Sequence, residues 1–113
     1  MSTISTHVLD TAAGRPAQGV RVELLRADGP SWTLVSTGET NTDGRVAALL
    51  PAGSAAAPGR FRITFDVAAY FSARGLDTFY TTVSIDFVVH DAAQHYHVPL
   101  LVSPFGYSTY RGS

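Results

Sequence analysis

The sequence predicts an all-β sandwich carrying one short helix, and three observations lead there. Apolar and polar residues alternate at period two in stretch after stretch, as in Val20, Val22 and Leu24 against Arg21 and Glu23. Turn clusters ("AAGRPAQG", "ADGPS", "NTDG", "PAGSAAAPG", "HDAAQ") separate these stretches at the short intervals typical of antiparallel sandwiches. Only one segment, Val67 to Arg74, reads as helix.

Taken in order, "STHVLD" is an early strand with Val8 toward the core and His7 sharing the other face with Leu9. "VRVELL" is the half-buried strand quoted above. "TLVSTGE" and "RVAALL" are shorter candidates on either side of the "NTDG" turn. "SAAAPG" reads as a loop tip. In "FRITFDV", Phe61, Ile63, Phe65 and Val67 oppose Arg62, Thr64 and Asp66. The helix follows, with Asp66 placed to cap its first amides and Gly75 to take the left-handed position after its last turn. "VSIDFVV" sets Val83, Ile85, Phe87 and Val89 on one face, and "HYHVPLLV" and "GYSTYR" complete the set.

The "HYHVPLLV" strand is unusual in avoiding charge on both faces. Tyr96, Val98 and Leu100 are core material, while the opposite face carries His95, His97, Pro99 and Leu101. An antiparallel sheet in a lone domain shows one polar face to water. A second copy of the chain, packed face to face about a two-fold axis, is the simplest cover, so a homo-oligomer with an inter-subunit groove is expected.

Composition narrows the chemistry. The 113 residues are expected to form one domain, 1–113. There is no cysteine, hence no disulfide, thiolate nucleophile or zinc-thiolate site. All eight basic residues are arginine, which removes Schiff-base chemistry. A formal net charge of −1 provides no footprint for nucleic acid or an anionic membrane, and no apolar run approaches bilayer length. "MSTISTHVLD" lacks the features of a secretory signal, and a cytoplasmic location is expected.

Among four histidines, His90 reads as a loop residue and His95 as a rim group. A lone strand histidine is more often structural than reactive. His97 and His7 stand apart because their strand faces resemble each other. If those strands are neighbours, two imidazoles from remote positions can meet, couple their titrations and leave one ring neutral as a base near pH 7. Arg45 follows the Asp43-Gly44 turn signal. By itself it is a solvated strand-end residue, but beside two histidines it would be a fixed cation able to steady an oxyanion. The closing "YSTYRGS" looks like a folded-in polar wall.

Four segments together resemble one family, the 5-hydroxyisourate hydrolases, also called transthyretin-related or transthyretin-like proteins. They are "STHVLDTAAGRPAQGVRVEL", "TNTDGR", "FDVAAYF" and "HYHVPLLVSPFGYSTYRGS", and the resemblance spans nearly the whole chain. The terminal "YRGS" is the most specific, separating the hydrolases from the hormone-carrying transthyretins, which share the fold but replace the histidines and arginine. Departures are Val102, Phe105 and the "FYTT" at Phe79 to Thr82, positions of packing or loop geometry.

The resemblance implies a transthyretin-like (prealbumin-like) sandwich of two four-stranded antiparallel sheets with one short helix. It also implies a homotetramer, a dimer of dimers, with sites at subunit interfaces. It assigns His7, Arg45 and His97 to the reaction and Tyr110, Arg111, Gly112 and Ser113 to substrate binding. The implied activity is hydrolysis of 5-hydroxyisourate to 2-oxo-4-hydroxy-4-carboxy-5-ureidoimidazoline in urate degradation, with no cofactor and no metal. Two rivals stand beside it: a non-catalytic small-ligand carrier of transthyretin type, and a metal site on the His95-x-His97 pair, whose rings share a strand face.

Overall fold

The computed structural model describes residues 3–50 and 57–113. The first half of the loop tip expected at "SAAAPG", residues 54–56, falls outside the described residues.

One sheet is antiparallel throughout and is built from β3 (Arg21–Asp28), β4 (Ser31–Glu39), β6 (Gly59–Phe65) and β7 (Val83–Val89), in the order β4-β3-β6-β7. The other contains β1 (Thr3–Asp10), β2 (Arg15–Pro16), β5 (Arg45–Val46), β8 (His95–Ser103) and β9 (Gly106–Thr109). Its order is β2-β1-β8-β9, and β5 also pairs with β1, on the edge that β8 leaves free. The helix α1 spans Val67–Ser72.

Three expectations need correction. The second sheet is not wholly antiparallel, because β1 and β8 run parallel from Thr3 opposite His95 to Asp10 opposite Val102. A parallel neighbour requires a crossover. Here the crossover is the other sheet and α1, which return the chain to the end from which it started. "RVAALL" pairs only at Arg45 and Val46, after which Leu49 leaves the ladder to plug the core, its amide donating to the Ile4 carbonyl at 2.9 Å. The "AAGRPAQG" turn, for its part, contains the two-residue β2.

Alternation places the core where it was expected. Ile4 and Val8 of β1, Val22 and Leu24 of β3, Phe61, Ile63 and Phe65 of β6, and Val98 and Leu100 of β8 are all buried between the sheets. Each contributes roughly 1.5–3 kcal/mol by leaving water. Ile85 and Phe87 of β7 are only partly buried, because β7 is an edge strand beside a cleft.

Asp66 caps α1 by accepting from the Ala69 amide at 3.2 Å, and Gly75 takes φ +74° after the last turn. The helix is tied to β1 by a buried bond, the Tyr70 hydroxyl donating to Asp10 at 2.8 Å. Burial, and then the bond to this carboxylate, push the Tyr70 phenol above its ordinary pKa. Asp10 is satisfied further by the amides of Ala12 and Ala13. No helix among the described residues is long and apolar enough to cross a membrane.

Candidate active site

Three strands and the chain's tail build one face of the second sheet. Side chains on a strand alternate, so register decides which of them share a side. His7 lies opposite Arg45 on one flank of β1 and opposite Pro99 on the other, while Ser5 lies opposite His97. Arg45, His7, Ser5, His95, His97 and Pro99 therefore occupy a single face. Across β8, Leu101 pairs with Ser108 of β9, and past the end of β9 a lone bridge joins His97 to Gly112.

A local turn delivers Arg45. The Asn41 side-chain oxygen accepts from the amides of Asp43 (2.9 Å) and Arg45 (3.0 Å), wrapping "NTDGR" around itself. Gly44 sits at φ +75°, and its carbonyl accepts from the Val8 amide at 2.7 Å. A side chain there would place its Cβ 2.4 Å from the Val8 carbonyl oxygen. Only glycine lets the turn lie so close to β1, and that closeness sets Arg45 against His7.

The tail is held with similar economy. The Gly112 amide donates to the His97 carbonyl at 2.9 Å, and a Cβ on Gly112 would fall 2.5 Å from His97 Cδ2. Gly112 thus covers one edge of the His97 ring. Tyr110 stands 60% exposed beside it, and Ser113 follows as an exposed end. Arg111 turns elsewhere. Its guanidinium lies 4.7 Å from the ring centre of Tyr96, a core-facing side chain, and donates to Gln94 at 3.0 Å. The structure thus groups His7, Arg45 and His97 with Gly112, while Tyr110 and Arg111 line a neighbouring cleft that reaches His97, the Arg111 side chain anchored on Tyr96 and Gln94.

Electrostatics favour neutral rings. Burial lowers the pKa of His7, and the Arg45 cation lowers it again, while nearby Asp43 pulls the other way. Burial likewise lowers His97, followed by Arg45, His95 and His7. The His97 Nδ1 bonds the Ser5 hydroxyl at 2.7 Å. Its Nε2 has no protein partner among the described residues, which leaves a lone pair or a proton available on the open face. A neutral imidazole beside a fixed guanidinium can move a proton and stabilise an anion in one place.

A cleft of about 370 Å³ opens nearby between β7 and the tail, lined in part by Phe87, Tyr96, Val98, Tyr110 and Arg111. It meets the histidine face only through His97 and the tail and contains neither His7 nor Arg45, so the chemistry belongs to the open face. His95 and His97 stack with ring centres 6.2 Å apart. Among the described residues no group of three or more His, Cys, Asp or Glu gathers in metal-ligating geometry.

Residues 4–112 match a family model described as the HIUase/Transthyretin family. The chain belongs to that family. Within the HIUase/Transthyretin family it is 48% identical to a 5-hydroxyisourate hydrolase of Caulobacter vibrioides, over 100% of both chains. The solved 5-hydroxyisourate hydrolase of Klebsiella pneumoniae superposes with a TM-score of 0.88 at 39% identity, covering 100% of each chain. Sea bream transthyretin, solved in complex with thyroxine, superposes with a TM-score of 0.90 at 28% identity, over 97% of this chain and 94% of that one. The backbone is thus common to the hydrolase and carrier branches of the family, and side chains must distinguish them.

Sequence reasoning found the Asp43-Gly44 turn before Arg45 but missed Ser5, which touches both β8 histidines, and the Asn41 side chain that ties that turn together. Ser5 sits two residues before His7 and so shares its face, a signal present in "STH". Its partner could not be read without the parallel register.

Proposed function

We propose that this chain hydrolyses 5-hydroxyisourate to 2-oxo-4-hydroxy-4-carboxy-5-ureidoimidazoline, opening the ring at its N1–C6 acyl bond without a metal. The observation that carries the reading is the direct cross-strand pairing of Arg45 with His7, with His97 on the diagonal of the same face. Relatives named as 5-hydroxyisourate hydrolases, nearly half identical over all or most of their length, support it.

Water is the nucleophile. A neutral ring, His7 or His97, takes one of its protons as its oxygen bonds to C6. The charge that grows on the C6 oxygen is met by the Arg45 guanidinium. The N1–C6 bond then breaks, the captured proton returns to N1, and the acyl carbon leaves as a carboxylic acid that ionises. Tyr110, Gly112 and Ser113 wall the ring and fix its orientation, while Arg111 pins the tail through Tyr96 and Gln94.

The working assembly is a homotetramer, a dimer of dimers, with each groove closed by a second copy. In one chain the histidine face is open, Tyr110 is 60% exposed and Phe105 71%, and an apolar surface of this kind favours burial against its own copy.

The test is turnover. Purified protein added to freshly generated 5-hydroxyisourate should hasten the decay of its ultraviolet absorbance well beyond the spontaneous rate. Saturable binding with no acceleration would replace this reading with the small-ligand carrier.

A further inference from the structure

We infer that Ser5 is a positioning residue that joins His95 and His97 into one tautomeric unit, so that the proton of His97 is set from outside the groove through Thr3, His95 and Ser5. The inference deepens the hydrolase reading and rests on it for its consequence in catalysis.

The geometry is a continuous line of four groups. The Thr3 hydroxyl bonds His95 Nδ1, His95 Nε2 lies 3.1 Å from the Ser5 hydroxyl, and that hydroxyl lies 2.7 Å from His97 Nδ1. The register of β1 on β8 holds it together, because Thr3 and Ser5 stand opposite His95 and His97. Ser5 is 7% exposed, whereas Thr3 and His95 are exposed, so the line runs from solvent to a buried hydroxyl and then to the ring at the groove.

Proton counting limits the states. A neutral imidazole has one N–H and one lone pair, and a serine hydroxyl has a single proton to give. If His97 donates from Nδ1, Ser5 accepts and must donate to His95 Nε2, and His95 then donates from Nδ1 to Thr3. If Ser5 instead donates to His97 Nδ1, it must accept from His95 Nε2, and Thr3 donates to His95 Nδ1. A third arrangement, with both rings donating, strands the Ser5 O–H in a buried position with no other acceptor among the described residues, a costly choice. A fourth, with neither ring donating, sets two lone pairs against a hydroxyl that has one proton, so one of the two hydrogen bonds is lost. Both rings therefore carry their proton on Nδ1, or both carry it on Nε2. In the first state His97 presents a basic Nε2 to the groove, and in the second an N–H donor. Switching from the first state to the second moves each proton one place along the line, with one proton entering at His97 Nε2 from the groove and one leaving from Thr3 to solvent.

The experiment is ¹⁵N imidazole spectroscopy of the protein at pH 8, together with steady-state kinetics. The wild type should show His95 and His97 with matching protonated nitrogens. In Ser5→Ala the match should break, with kcat lowered on the order of 10- to 100-fold at a nearly unaltered KM, as when an orienting partner is removed from a functional histidine. Ser5→Thr, which keeps the hydroxyl, should restore both the match and most of the rate. Opposite tautomers in the wild type, or a Ser5→Ala spectrum identical to wild type, would overturn the inference. Should the wild type prove inactive, the hydrolase reading fails by itself while the spectra still decide the role of Ser5.

Discussion

Arg45 and His7 face each other across an antiparallel pair, and after burial it is the charge of this cation that lowers the basicity of the ring. The guanidinium stays charged at every relevant pH, so the pair is asymmetric by construction. One partner is a permanent positive charge for an oxyanion, and the other a ring kept neutral for proton transfer.

Removing that charge should cost more than binding. Arg45→Ala is expected to lower kcat by roughly 10²–10³-fold, the usual loss for an oxyanion-stabilising group. The assembly should remain intact by sedimentation. Arg45→Lys should recover only part of the rate, since an ammonium lacks the planar fork. An alanine variant with wild-type kcat would remove Arg45 from the reaction.

The pH profile carries a definite sign. His7 and His97 both titrate below the ordinary 6.5, from burial first and from Arg45 next. The base form therefore survives into mildly acid solution, and the acid limb of kcat/KM should have its midpoint below 6.5. A midpoint above 6.5 would contradict the burial. In folding, the unfolded chain binds these protons more readily than the folded one. Stability from this source is complete above 6.5 and is lost as pH falls through the lowered values. Urea midpoints measured from pH 7.5 to 5 should decline accordingly.

The tail tolerates no bulk at Gly112. A methyl group there would meet His97 Cδ2 at 2.5 Å and Pro99 Cγ at 3.1 Å. Gly112→Ala is thus expected to lift the tail, break the bond to the His97 carbonyl and reduce kcat/KM by at least about tenfold, the scale of a misplaced orienting group. Deleting Arg111 to Ser113, or adding a C-terminal tag, should do the same. Indifference to all three would detach the tail from the site.

Gly44 makes a separable prediction about stability. At φ +75°, and with the Val8 carbonyl oxygen 2.4 Å from where a Cβ would lie, Gly44→Ala should cost about 1–3 kcal/mol. Denaturant unfolding measures that loss. The surviving folded protein should also lose activity, because the same turn seats Arg45. A neutral substitution would mean that the turn relaxes without β1.

Much of this molecule is written in local patterns. Period-two alternation in "FRITFDV" and "VRVELL" determined strands and their buried faces, because a strand's side chains can only alternate. Asp66 and Gly75 bounded the helix through backbone chemistry that needs no partner. His7, Arg45 and His97 were legible as chemically capable groups, and the resemblance of "YRGS" to a hydrolase tail pointed the same way. Tertiary structure decided what touches what. The parallel pairing of β1 with β8 depends on a crossover through an entire second sheet, and no local signal encodes its register. That register puts Ser5 beside His97, and the separate antiparallel pairing of β5 with β1 puts Arg45 beside His7. Residue type and spacing reveal a group's chemistry, whereas the free energy that selects its neighbour comes from burying the whole core at once.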